Sequence, residues 1–175
     1  MKNLIPAHLC ALILIVLLAG CGYRLQTKAN LPFDTITIGK VENSTFEPKL
    51  QDRLSALLAQ TFMEYGIAVV PSSRHVVQAN VVRFELRTLS EVNLTTSEYE
   101  VIITSDFVIT DTSTGDTFPL MRLKDPYLTY FFATGALENV LAQKEIATDV
   151  ALRDLSREVV RRAVYRSWKE KEAPQ

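Results

Sequence analysis

Two stretches in the middle of the chain alternate apolar and polar residues so regularly that few architectures can accommodate them. Val82, Phe84, Leu86 and Thr88 fall on one side of an extended strand, with Arg83, Glu85 and Arg87 on the other. Tyr99, Val101, Ile103, Ser105, Phe107 and Ile109 repeat the pattern in a second long strand. Strands of this kind build a sheet with one apolar face, and only that face needs cover.

Two amphipathic helices can supply the cover. Leu50, Leu54, Leu57, Leu58, Phe62 and Tyr65 recur at steps of three and four, a single apolar stripe that Gly66 ends. Before the stripe, Asn43-Ser44-Thr45 reads as a turn with Thr45 as the helix cap, and Glu47 and Pro48 fall in the first turn. Thr148, Ala151, Leu152, Leu155, Val159 and Ala163 line one face of a longer helix predicted from Glu138 to Trp168. Arg153, Arg157 and Arg161 lie on another face of it, to be solvated or ion-paired, and Glu158 stands four residues before Arg162.

The remaining segments complete the order strand, helix, several strands, helix. Thr35 to Val41 reads as a first strand and Ile67 to Val70 as a short one. Asp111 to Asp116 reads as a hairpin turn, and Thr117 to Leu123 as the returning partner. Asp125 to Gly135, crowded with Tyr127, Tyr130, Phe131 and Phe132, fits either a further strand or a loop, and the aromatic group fits either core or partner contact. The expected fold class is α/β, a two-layer sandwich with two helices on one face of a small mixed sheet of about four strands.

The N-terminus is of a different kind. Lys2 precedes an unbroken apolar run from Leu9 to Leu18, followed by Ala19, Gly20 and Cys21. The run falls short of the ~20 residues needed to span a bilayer. With its charged start and small-residue cleavage site it reads as a secretory signal. Leu18-Ala19-Gly20-Cys21 matches the bacterial lipobox, at which the Cys21 thiol is lipidated before cleavage. The expected organisation is a signal over 1–20, a lipidated N-terminus and tether over 21–33, one domain over 34–168 and a disordered tail over 169–175. About 155 residues suffice for a single domain with its own core.

Processing leaves little that could do chemistry. Cys10 and His8 depart with the signal and Cys21 is consumed by lipid, so no free thiol remains and His75 is the one histidine left. A single imidazole cannot supply the two or three of a usual zinc site. Gly22, Gly39, Gly66, Gly115 and Gly135 form no phosphate loop or nucleophile elbow. His75, after Ser72-Ser73-Arg74, reads as a surface turn residue, and Asp111 and Asp116 as turn formers. The expectation is a non-enzyme with no cofactor and no metal. The formal net charge of −1 favours neither nucleic acid nor an anionic surface as partner. Arg83 and Arg87 are either a solvated strand face or a row able to meet phosphates or carboxylates.

In four places the chain resembles the LptE family of lipopolysaccharide-assembly lipoproteins. Cys21-Gly22-Tyr23-Arg24-Leu25 resembles the family's start after the lipobox. Ile36 to Pro48 resembles its first strand and its Asn-x-Thr-aromatic-x-Pro entry into the first helix. Gln78-Ala79-Asn80-Val81 stands where the family shows Ala-Asp, with Asn80 departing from the acid. Ser97-Glu98-Tyr99-Glu100-Val101 and Trp168 complete the likeness. It implies a periplasm-facing protein at the outer membrane, held by lipid on Cys21, that plugs the β-barrel LptD and helps insert lipopolysaccharide into the outer leaflet. Gly22, in place of the aspartate that retains many lipoproteins at the inner membrane, fits that destination. Arg83 and Arg87 are, on charge alone, the candidates for lipopolysaccharide contact. The competing expectation is an accessory lipoprotein of another envelope lipid-transport or peptidoglycan-synthesis complex.

Overall fold

The computed structural model describes residues 31–92, 96–121, 127–134 and 137–166. The spine of its sheet is β4, Thr96–Asp111, which is sixteen residues long. Along one side β4 pairs antiparallel with the whole of β3, His75–Val92, in a register running from Val92↔Thr96 to His75↔Asp111. The other side is shared end to end by two strands. β5, Thr117–Met121, takes Phe107 to Thr110, and β6, Tyr127–Thr134, takes Thr96 to Ile103. β1, Thr35–Asn43, lies parallel beside the first half of β3, and the two-residue β2, Ala68–Val69, lies parallel beside β1.

The sheet thus has six strands in the order β2-β1-β3-β4-β5, with β6 also on β4. The mixed sheet was expected, with fewer strands. The segment that could have been strand or loop is β6.

The two helices among the described residues, α1 at Leu50–Glu64 and α2 at Leu137–Tyr165, pack on one face of the sheet. α1 buries Leu50, Leu54, Leu58, Thr61 and Phe62. α2 buries Ala147, Thr148, Ala151, Leu152, Leu155, Ser156, Val159, Val160, Ala163 and Val164. The buried hydroxyls of Thr61, Thr148 and Ser156 each donate to the carbonyl four residues back, at 2.7, 2.7 and 2.8 Å, so they enter the core already paired. Gly66 ends α1 with φ 84°, a left-handed position that suits glycine, and Ile67 behind it is fully buried.

The inner face of β3 changes parity part-way. Val77, Ala79 and Val81 are inside, opposite Ile109, Phe107 and Ser105. A register shift between Val81 and Arg83 then makes Val82 an extra residue, and Phe84 and Leu86 take over opposite Ile103 and Val101. The alternation expected from Phe84 onward holds, whereas Val82 belongs to the bulge and not to the row.

The entry to α1 also differs from its sequence pattern. The helix starts at Leu50 after Lys49, whose φ of 61° is left-handed, and no side chain caps it. Thr45, Glu47 and Pro48 precede the helix, because the Asn43 side chain folds them into a loop of their own. Phe33, the last position expected of the tether, is buried in the core. Cys21 and residues 169–175 lie outside the described residues.

Candidate functional site

The sheet's outer face, away from the helices, carries the two arginines singled out by charge. Arg83 and Arg87 stand on β3 beyond the bulge, their Cα atoms about 13 Å apart at the rise of a strand. Each faces its own carboxylate. Arg83 Nη2 donates to Glu85 Oε1 at 2.6 Å, and both side chains are largely exposed. Arg87 is also exposed but reaches Glu100, whose side chain is only 2% exposed; Nε donates to Oε2 at 2.9 Å and Nη2 reaches the same oxygen. Glu100 lies directly across from Arg87 in the β3–β4 register. A polar strand residue buried to this degree needs such a partner.

The same face continues over β1 and the first half of β3 as a shallow hollow of about 240 Å³, lined by Lys40, Glu42, Gln78, Asn80, Asp106 and Val108. Lys40 and Glu42 form a further exposed ion pair. The face is therefore a lattice of alternating signs and not a cationic strip. Such a surface recognises a partner by matching charges and hydrogen bonds at several points, with rim pairs that contribute little individually.

At the end of the sheet where β3 begins, Arg74 forks onto Asp111 with bonds of 2.7 to 3.0 Å. Asp111 also accepts from the backbone N–H and hydroxyl of Ser113, which closes the hairpin as turn chemistry predicts. The Arg74 guanidinium, and then Ser113, hold this carboxyl well below the usual carboxylate range. His75 is not in the turn but is the first residue of β3, half-buried and stacked on Phe33 with ring centroids 4.7 Å apart. Burial lowers its pKa, against a smaller opposing pull from Asp111. Two arginines of the α2 row are ion-paired along the helix, Arg157 with Asp154 and Arg161 with Glu158, as is Arg162 with Glu158.

At the opposite end of β1, the loop from Ser44 to Lys49, Phe46 included, lines a second hollow. Among the described residues no group of three or more metal-ligating side chains occurs, and no helix is long and apolar enough to cross a membrane.

Residues 33–163 match the LptE lipopolysaccharide-assembly family. The chain belongs to that family. The match covers both helices apart from the last residues of α2, and all six strands, so the LptE assignment rests on the whole sandwich and not on the N-terminal motifs. Among solved structures, the chain is similar to a minor lipoprotein from Acinetobacter baumannii at 14% identity and a TM-score of 0.50, covering 76% of this chain and 92% of that one. It is also similar to PelC from Paraburkholderia phytofirmans, at 17% identity, 75% and 89% coverage and a TM-score of 0.46. Lipoprotein B from Nitrosomonas europaea matches at 15% identity, 80% and 88% coverage and a TM-score of 0.46. At such identities the first likeness is one of fold. No curated protein matches the chain.

Three features of this LptE chain were not apparent from its sequence. Glu100 as the buried partner of Arg87 follows only from the β3–β4 register. The Glu47–Lys144 ion pair joins residues 97 positions apart. The exposure of Phe46 depends on the loop that Asn43 builds.

Proposed function

We propose that this chain is an outer-membrane lipoprotein, anchored by lipid on Cys21, that partners and plugs an LptD-type β-barrel in transporting lipopolysaccharide to the outer leaflet. The observation that carries the reading is the family match over residues 33–163. Three further features support it. The lipobox Leu18-Ala19-Gly20-Cys21 supplies an anchor. A chain of similar fold, from Acinetobacter baumannii, is itself described as a lipoprotein. The mixed-charge outer face suits a large, many-point contact better than a small substrate, in keeping with a non-enzymatic family. A doubly or triply acylated cysteine gives lasting attachment where a single chain would not.

Lipopolysaccharide contact is assigned to Arg83, and secondarily to Arg87, both able to fork onto phosphate. Arg83 is the cleaner probe, since its partner Glu85 is exposed whereas that of Arg87 is buried. The test is purification of the full-length chain from envelopes. Mass spectrometry should find an acylated Cys21 as the first residue, and a large barrel protein should co-elute. An envelope complex containing no barrel would favour the accessory-lipoprotein reading instead. Arg83→Glu should weaken lipopolysaccharide binding about tenfold, or roughly 1.4 kcal/mol, at an unchanged melting temperature. Wild-type binding by that variant would remove the arginine from the contact.

A further inference from the structure

The last turns of α2 are rich in positive charge. From Arg153 to Arg166 the sequence places five arginines against two acids, Asp154 and Glu158. Cations at a helix end ordinarily face the helix's own last carbonyls, where they offset its dipole. Here two of them reach across to the sheet instead. Arg162 Nη1 donates to the Leu120 carbonyl at 3.1 Å, and Arg166 Nη1 to the Pro119 carbonyl at 2.8 Å. β5 can offer two consecutive carbonyls because Leu120 is an extra residue in its ladder: Met121 pairs with Phe107 and Pro119 with Val108. Pro119, Leu120, Arg161, Arg162, Tyr165 and Arg166 together line an open hollow of about 360 Å³ between α2 and β5.

The three guanidinium groups are fixed in place by the protein itself. Arg161 forks onto Glu158, with Nε to Oε2 and Nη2 to Oε1 both at 2.8 Å. Arg162 Nε donates to the same carboxylate at 2.7 Å, so two cations share one acid. Arg166 is held by neutral groups, the Pro119 carbonyl and the ring of Phe118, whose centroid lies 5.3 Å from its Cζ. No carboxylate pairs with Arg166 among the described residues, so its charge is positioned without being neutralised. The bond to Pro119 takes one of its five N–H donors. A side chain already immobilised has less freedom to lose on binding.

This lining decides the chemical class of the occupant. A neutral ligand would leave the charge of Arg166 unanswered, and a carboxylate brings only two oxygens and a single charge. A phosphate monoester brings three acceptor oxygens and close to two negative charges at neutral pH, which suits several guanidinium forks at once. We propose that the hollow between α2 and β5 is a phosphate-binding site, with Arg161 and Arg166 as its principal donors. The phosphate is a free ion or the head of a lipid, two sources of one chemistry. The site does not rest on the barrel partnership, and it is separate from Arg83, which stands on the outer face of β3.

The test titrates the full chain, in a neutral detergent, with inorganic phosphate, with dihexanoyl phosphatidic acid, and with acetate as the carboxylate control. Calorimetry should show saturable phosphate binding, and the ring resonances of Tyr165 should shift as the site fills. Arg166→Gln should weaken phosphate binding about tenfold, and the double variant Arg161→Gln/Arg166→Gln further, at unchanged melting temperatures. Arg157→Gln should bind as wild type, since Arg157 pairs with Asp154 and lies outside the hollow. Tighter binding of the lipid than of inorganic phosphate identifies a lipid head as the source; equal or weaker binding identifies the free ion. A wild-type chain that binds no phosphate, or binds acetate as tightly, overturns the proposal. So does full binding by the double variant, or phosphate binding that leaves the Tyr165 resonances unmoved.

Discussion

Arg83 and Arg87 look equivalent on one strand face, yet they differ in what they leave behind when removed. Arg87→Ala would strand the Glu100 carboxylate, whose side chain is 2% exposed. A loss of about 1–3 kcal/mol in unfolding free energy is expected. Arg83→Ala breaks an exposed pair and should stay within about 0.5 kcal/mol of wild type. Urea denaturation of the two variants side by side checks this, and equal midpoints would contradict the buried pairing. Titration separates two other residues. Asp111 is depressed in the folded state by Arg74 and Ser113, so the unfolded chain takes up its proton first, near pH ~3.9. Its contribution is present above that pH and is lost on further acidification. His75 is lowered by burial, so stability should also fall as the pH drops below ~6.5, then level once the folded imidazole protonates. Denaturation midpoints against pH should lose the first slope in Asp111→Asn and the second in His75→Gln.

Among the elements, β1 depends most on one small residue. A Cβ on Gly39 would stand 2.7 Å from Val76 Cγ1 and 3.1 Å from the Val77 carbonyl, at the register shift between Ile38 and Val41. Gly39→Val should therefore spread β1 from β3 and lower stability by about 1–3 kcal/mol. Amide exchange should speed up in β1 before it does in β4; uniform protection would contradict this. The helices were legible because the steps of three and four from Leu50 to Phe62 and from Thr148 to Ala163 are long enough to exclude other periods. The start of α1 was not, because Thr45 and Pro48 carry the composition of a cap, yet Asn43 claims Thr45 for the loop. The alternation of β3 could be read only in its second half, since nothing in the residue types marks Val82 as inserted. The strand Tyr127–Thr134 was ambiguous because its crowded aromatics lack alternation, and only pairing with β4 decides it. Of the candidate site, charge pointed to the two arginines, but their carboxylate partners required knowledge of strand register.

As a whole molecule, the sandwich assigns different work to different surfaces. The inner face is spent on the core with two helices, and the outer face offers mixed charge. One end of β1 lies beside the start of β3 and its Arg74–Asp111 pair, while the other leads into the loop that exposes Phe46. The sheet is stitched together by β4, whose second side is divided between β5 and β6. That division has a consequence for a polypeptide that emerges from its N-terminus onward. Until residue 134 has emerged, Thr96 to Ile103 have neighbours on one flank only, with a bare ladder of amides and carbonyls on the other. A nascent or clipped chain ending before that point would be an adhesive template for stray strands, so proteolysis just ahead of β6 should yield aggregates and not a smaller working domain.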